Sequence, residues 1–290
     1  MTLTTDGNAF VEVGTQDLGT GSYTVFGQLV AELLGLAVEK VKCRLGDTLL
    51  PPAGVSGGSS TVGSVGSAVK TAAEKLVAQL AGLAIADAKS ALHGMKTDGI
   101  AIKNGKLIAT DDASRSESVG DLLTRAGKKS LSGEGESKEG EAKKKFSMHA
   151  FGAVFMEVDV DPNFGTIRVR RATGAYAAGR VLNAKTARSQ YLGGITFGIG
   201  TALLERTVTD HRTGRVVTHD LEGYMVPVNA DLPAIDIIIV PEDDPHTNAI
   251  GTKGIGEIGN VGTAAAVANA VYHATGKRIR DFPITPESVL

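Results

Sequence analysis

Ala249-Ile-Gly-Thr-Lys-Gly-Ile-Gly-Glu-Ile-Gly-Asn-Val-Gly262 runs directly into an alanine-rich segment, Thr263 to Thr275, and the rest of the chain is read outward from this junction. Five glycines crowd the loop, and one acid, Glu257, sits among them between Ile255 and Ile258. Glycine lets a backbone approach a ligand closely, and a loop feeding a helix start offers free N–H groups to anions. A carboxylate held between isoleucines beside such a ligand is expected to be partly desolvated and able to accept a proton. The plainer account of Glu257 is a partner for a helix dipole.

The same loop contains Gly254-Ile-Gly256-Glu-Ile-Gly259, which fits the G-x-G-x-x-G of dinucleotide-binding folds, with Asp281 lying about 20 residues further on. The apolar strand Ile237 to Val240 ends well before the first glycine, separated from it by Pro241-Glu-Asp-Asp-Pro-His. Too little chain follows Asp281 to complete a doubly wound sheet. A nicotinamide-dinucleotide-dependent dehydrogenase is therefore the weaker alternative.

A length of 290 residues suits one large or two modest domains. The 30 Lys+Arg against 32 Asp+Glu leave a formal net charge of −2, so no basic field recommends nucleic acid or anionic membrane as a partner. The single cysteine, Cys43, lies in the alternating run Val41-Lys-Cys-Arg-Leu45 and rules out an internal disulfide. One thiol cannot by itself hold an iron–sulfur cluster or a thiolate zinc ion. The six histidines (His93, His149, His211, His219, His246, His273) show no metal-ligand spacing, so no protein-ligated metal is expected. No apolar run approaches membrane-spanning length, and Met1-Thr-Leu-Thr-Thr-Asp lacks a signal-peptide pattern, which leaves cytoplasm and periplasm both open.

Along the chain, Phe10-Val-Glu-Val13 alternates as a strand with little before it to pair with. A glycine-bounded turn, Gly14 to Gly21, leads into a helix from about Tyr23 to Leu34, then a strand from Val41 to Leu45. Ser56-Gly-Gly-Ser-Ser-Thr-Val-Gly-Ser-Val-Gly66 is a hydroxyl- and glycine-rich loop opening a helix from about Ser67 to Ala86. It reads either as a flexible linker or as a phosphate cradle. Ile100 to Ile108 is a hairpin turning at Asn104-Gly105. Residues 128–145, with alternating charge and little to bury, read as a solvated, mostly disordered linker.

A second hairpin joins Ala153–Val160 to Thr166–Ala172, and a helix capped by Asn183 runs to about Glu205. Its four glycines (Gly193, Gly194, Gly198, Gly200) imply close packing against another backbone or a ligand. A third hairpin turns near Thr213-Gly214, Gly276 ends the last long helix, Lys277 to Ile284 reads as a final strand, and Thr285-Pro286 opens a terminal turn. Strands and helices alternate without strict βαβ order, so the expected class is α+β. The expected organisation is a first lobe, 1–127, starting mid-domain, then the linker 128–145 and a second lobe, 146–290.

Several stretches in this order resemble the molybdenum-binding subunit of the xanthine dehydrogenase and aldehyde oxidase family, the molybdenum hydroxylases. They are Gln16-Asp-Leu-Gly-Thr-Gly21 with Tyr23-Thr24, and Gly179-Arg-Val-Leu-Asn-Ala-Lys-Thr-Ala-Arg-Ser-Gln190 with Gly193-Gly194. Lys253-Gly-Ile-Gly-Glu-Ile-Gly259 and the tail Ala268 to Pro286 complete the set. The chain is most similar in flavour to bacterial three-subunit aldehyde oxidoreductases. The resemblance implies molybdenum held by a molybdopterin dinucleotide, in the cytosine form, rather than by side chains. It implies iron–sulfur clusters and FAD on partner subunits, and an aldehyde or N-heterocycle as the small-molecule substrate, oxidised with oxygen from water.

By position, the resemblance makes Glu257 the proton-accepting base. It assigns cofactor contact to Leu18, Gly19, Thr20, Thr61 and Val62, and a dinucleotide cradle to Arg180, Val181, Leu182, Asn183, Ala184, Lys185 and Thr186. Gln190 would hydrogen-bond the pterin or a metal oxygen, and Lys253, Gly254, Ile255 and Gly256 would wrap the cofactor. The family's large subunit carries a further region ahead of this one, holding most substrate-facing residues. The chain is thus expected to be the C-terminal half of such a subunit, a fragment or a split-gene product, inactive without that half and its partners. A non-catalytic assembly remnant is the alternative of a different class.

Overall fold

The computed structural model describes residues 1–138 and 140–290, and the chain divides into two compact units. The first comprises Met1–Met148 together with Asp244–Thr252; the second comprises His149–Asp243 and Lys253–Leu290. The expected contiguous second lobe, 146–290, is not found, because residues 244–252 belong to the first unit. Ile250 is buried in the first unit, and the ring of Phe146 stacks on His246 at 4.3 Å.

In the first unit, β1 (Thr2–Thr4) and β2 (Ala9–Val13) form a short antiparallel pair, so the Phe10 strand does have a partner ahead of it. α1 (Ser22–Leu34) crosses from β2 to β3 (Val41–Leu45), which lies parallel to β2. Then follow α2 (Thr61–Ala86), a small antiparallel sheet of β4 (Ile100–Lys103), β5 (Lys106–Ala109) and β6 (Ser116–Ser118), and α3 (Val119–Arg125). β7 (Ser130–Ser132) completes the main sheet in the order β3-β2-β1-β7. Phe26, Leu29 and Leu34 of α1 and Leu76 and Leu80 of α2 are fully buried with Leu3 of β1. Each such side chain is worth roughly 1.5–3 kcal/mol.

The expected linker is therefore partly built into the fold. Ser130–Ser132 pairs with β1, and Gly133 and Gly135 lie against α2 so closely that added Cβ atoms would fall 2.4 Å from the Ala72 oxygen and 2.0 Å from the Ala68 oxygen. Small residues let this segment settle on a helix backbone despite its charge. Glu139, in the same stretch, lies outside the described residues.

In the second unit, β8 (Phe151–Val160) and β9 (Ile167–Ala177) form the expected long hairpin. α4 (Ala184–Leu203) follows, then a two-residue hairpin of β10 (Thr209–Asp210) and β11 (Arg215–Val216), and β12 (Ala234–Val240), which adds to β9 in parallel. The short α5 (Ile258–Val261), α6 (Thr263–Thr275) and α7 (Pro286–Val289) end the chain. α6 packs on β8 and α4, and Val169, Ile195, Ile199, Val267 and Val271 form the core between helices and sheet.

Gly276 ends α6 at φ 74°, the left-handed geometry that favours glycine. Residues 277–284 do not form the expected strand. Arg278 instead turns back on α6, its guanidinium 3.7 Å above the Tyr272 ring and hydrogen-bonded to Asn269 Oδ1 at 2.6 Å. Three of the four α4 glycines are explained by contact: added Cβ atoms would lie 2.8 Å from Gly259, 2.3 Å from Thr263 and 2.1 Å from Glu205 at Gly194, Gly198 and Gly200. Gly193 faces open space.

Candidate functional site

The residues singled out in the second unit gather in two loops. The first, 178–183, leaves β9 and enters α4. Gly179 turns the chain at φ 64°, and Asn183 caps the helix, its Oδ1 accepting the Thr186 N–H at 2.9 Å. Arg180, Ala184 and Lys185 are exposed, with Val181, Leu182, Thr186 and Gln190 half-buried. No acid stands in the first turn of α4, while Arg180 and Lys185 flank it. Cations at a helix N-terminus oppose the helix dipole, so this arrangement suits an added anion such as phosphate.

The second loop, 253–257, runs beside the first. The Lys253 N–H donates to the Ala178 oxygen at 3.0 Å, and Lys253 Nζ lies 2.6 Å from Glu242 Oε1. Gly254 and Ile255 are half-buried and Gly256 is exposed. Glu257 stands exposed at the head of α5. The expectation that Ile255 and Ile258 desolvate it is not met within this chain. Both isoleucines pack instead against the buried cluster of Tyr176, Ala187 and Tyr191.

The glycine motif 254–259 is not a strand-to-helix turn. β12 ends at Val240, the chain then contributes 244–252 to the other unit, and α5 is four residues long. The dehydrogenase alternative loses its structural context here.

In the first unit, Gln16 ties two predicted segments together: its side-chain oxygen accepts the Ser56 N–H at 2.9 Å, and its backbone oxygen accepts the Ser56 hydroxyl at 3.1 Å. The turn between carries Leu18, 64 % exposed, and Gly19 at φ 79° with open space at its Cβ position. Thr20 closes the turn ahead of α1. Thr61 and Val62 lie in the first turn of α2, six residues earlier than the helix start read from sequence. Gly63 and Gly66 hid that turn, and their bareness is used: an added Cβ would sit 3.1 Å from Asn248 Nδ2 and 2.4 Å from Ile250 Cδ1. Asn248 shapes the 244–252 segment, its side chain donating to the Thr252 oxygen at 2.6 Å.

Sequence reasoning missed Glu242, Asn248 and the role of Gln16. Glu242 sits in the Pro241–His246 run, read only as what separates the Ile237–Val240 strand from the glycines. The usable signal was Lys253, since a lysine in an apolar, glycine-rich loop needs a carboxylate once buried.

The sequence profile of the family described as molybdopterin cofactor-binding domain matches residues 1–233. The aldehyde oxidoreductase molybdenum-binding subunit PaoC of Escherichia coli (strain K12) is 39% identical over 288 residues, covering 99% of this chain and 37% of its own length. The putative xanthine dehydrogenase molybdenum-binding subunit XdhA of the same strain is 31% identical over 284 residues, covering 97% of this chain and 37% of its own. Among solved structures, the CO dehydrogenase from Oligotropha carboxidovorans superposes with a TM-score of 0.83 at 20% identity, covering 99% of this chain and 36% of that one, which speaks to the fold alone.

The fold is thus the α+β fold of molybdopterin-binding regions. The chain belongs to the molybdopterin cofactor-binding family and is similar to part of the molybdenum-binding subunits of molybdenum hydroxylases. It spans 37% of the length of these two curated relatives.

The residues present fit a molybdopterin cofactor. The α4 N-terminus, flanked by Arg180 and Lys185, offers phosphate donors, and Gly193 leaves open surface one turn beyond Gln190.

Proposed function

We propose that this chain supplies the cofactor-holding and proton-accepting parts of a molybdenum hydroxylase that oxidises aldehydes to carboxylic acids, or hydroxylates N-heterocycles. The observation that carries the reading is the pairing of two loops: 178–183, with its cationic helix start, and 253–257, which ends in an exposed carboxylate. When bound, the molybdenum cofactor supplies the two-electron acceptor and the place where water-derived oxygen is transferred.

The chain's own residues take the remaining roles. The first N–H groups of α4, with Arg180 and Lys185, hold the phosphates of the dinucleotide, proposed to be the cytosine form. Val181, Leu182 and the Asn183 cap shape that turn, and Ala184 and Thr186 keep it free of acidic charge. The Gln190 carboxamide donates to the pterin, and the backbone of Lys253, Gly254, Ile255 and Gly256 lines it. In the first unit, cofactor contact is assigned to Leu18, Gly19, Thr20, Thr61 and Val62.

Glu257 accepts the proton on a carboxylate oxygen as the nucleophile forms, and its exposure in this chain leaves it accessible for that step. Desolvation would then come from substrate and cofactor, since Ile255 and Ile258 face the core. Partner subunits carrying iron–sulfur clusters and FAD are proposed to remove the electrons. The test is molybdenum and pterin content in purified enzyme containing this chain, with turnover of aldehydes and N-heterocycles. A folded chain without molybdenum would favour the assembly remnant instead.

A further inference from the structure

Two residues beyond the end of β12 stands a carboxylate with two separate duties. Glu242 Oε2 accepts the Gly179 N–H at 2.7 Å, and Glu242 Oε1 pairs with Lys253 Nζ at 2.6 Å. Lys253 closes the triangle through its own N–H, which donates to the Ala178 oxygen at 3.0 Å. The Lys253 side chain is 6% exposed and that of Glu242 21%, so the pair is largely withdrawn from water.

An ammonium this buried is tolerated only with a carboxylate beside it, and a pair so placed resists being pulled apart. The geometry couples three segments of the second unit: the end of β12, the start of loop 178–183 and the start of loop 253–257. Its location adds a reason for the coupling. Between Glu242 and Lys253 the chain departs, contributing Asp244–Thr252 to the first unit before it returns. The Glu242–Lys253 pair closes the base of that excursion and fixes where the returning loop begins.

We infer that Glu242 is a positioning residue for cofactor binding, resting on the cofactor reading above. Its carboxylate sets the spacing between the Gly179–Arg180 turn and the Lys253–Gly256 loop. It thereby fixes the direction of Arg180 and of the loop's backbone toward the pterin dinucleotide. A merely neutralising role for Glu242 would alter stability and leave cofactor content per folded chain unchanged.

The test compares Glu242→Ala and Glu242→Gln with wild type in the assembled enzyme, reading amide hydrogen exchange and molybdenum per folded chain. In Glu242→Ala, exchange at Gly179 and across 253–256 should quicken by about tenfold or more, with molybdenum falling by about tenfold. Glutamine keeps an oxygen for the Gly179 N–H but loses the charge facing Lys253. Glu242→Gln should therefore restore protection at Gly179, leave 253–256 exchanging fast, and hold an intermediate molybdenum content.

Unchanged exchange in both variants would overturn the clamp. Fast exchange at 253–256 with full molybdenum would overturn its part in cofactor binding, and Glu242→Gln decides this even if the alanine variant fails to fold. Wild-type enzyme without molybdenum would overturn the cofactor reading itself, and is seen without any variant.

Discussion

The rings of Tyr176 and Tyr191 stack face to face, centroids 4.4 Å apart and 3° from parallel, both fully buried. Gly152 and Gly174 make the bed for this pair, since an added Cβ at either would strike the Tyr176 ring at 2.5 to 2.6 Å. Ile255 and Ile258, which flank Glu257 in sequence, pack against the cluster these tyrosines form with Ala187. Neither hydroxyl has a hydrogen-bond partner among the described residues. Tyr191→Phe should therefore leave the unfolding free energy unchanged or raise it by up to about 1 kcal/mol, whereas Tyr191→Ala should lower it by about 3–5 kcal/mol. Chemical denaturation measures both. A loss above about 1 kcal/mol for phenylalanine would mean the hydroxyl has a partner after all.

The same burial sets a pH dependence. Loss of hydration pushes the Tyr191 phenol up to about 12, with a smaller contribution from Tyr176, from an ordinary value near 10. Because the folded-state value is raised, the stabilisation is complete below about pH 10 and is lost as pH climbs from there toward 12. Ultraviolet titration of phenolate should find Tyr191 ionising last, together with unfolding of the second unit. Ionisation at an ordinary pH in the folded protein would contradict its burial.

Two glycines of α4 separate packing from ligand access. Gly198→Ala places a Cβ 2.3 Å from Thr263, itself fully buried, and should cost about 1–3 kcal/mol by forcing α4 and α6 apart. Gly193→Ala meets nothing within 4 Å and should gain up to about 1 kcal/mol from helix propensity. The melting temperatures of the cofactor-free chain should move in opposite directions. Equal shifts would contradict the helix packing described.

Arg180→Ala should release the cofactor while sparing the fold, because the side chain is exposed. A charge-assisted contact to phosphate is worth roughly 1.5–3 kcal/mol, so retention should weaken by about 10- to 100-fold. Molybdenum content after extended dialysis, set beside the melting temperature, provides the check. Full retention would remove Arg180 from the cradle.

Much of the frame was legible because its signals are local. The Asn183 cap, the Asn104-Gly105 turn and the Gly276 stop each follow from one residue's backbone preferences, and each is found in place. What stayed hidden depends on distant partners. β1 and β7 are three residues each and gain meaning only by pairing across the chain. The first turn of α2 was masked by Gly63 and Gly66, poor helix formers kept small by Asn248 and Ile250 nearly two hundred residues later. Residues 277–284 carry strand-like alternation, yet Arg278 prefers the ring and amide offered by α6. At the site, both glycine-rich loops were legible as loops, but the way Ile255 and Ile258 face depends on the buried cluster of Tyr176, Ala187 and Tyr191. Glu242 was lost in an acidic run, where nothing local marks it out from its neighbours.

The central claim is that Glu257 is the base, and the direct measurement is turnover of Glu257→Gln in the assembled enzyme, normalised to molybdenum and pterin content. The amide keeps the shape of the side chain but cannot take the proton at neutral pH. Turnover should fall by at least about 10²–10⁴-fold at normal cofactor content. A residue that only complements the α5 dipole would cost at most about 1 kcal/mol of stability and leave the rate almost untouched. A glutamine variant that keeps more than about a tenth of wild-type turnover with full cofactor would contradict the account.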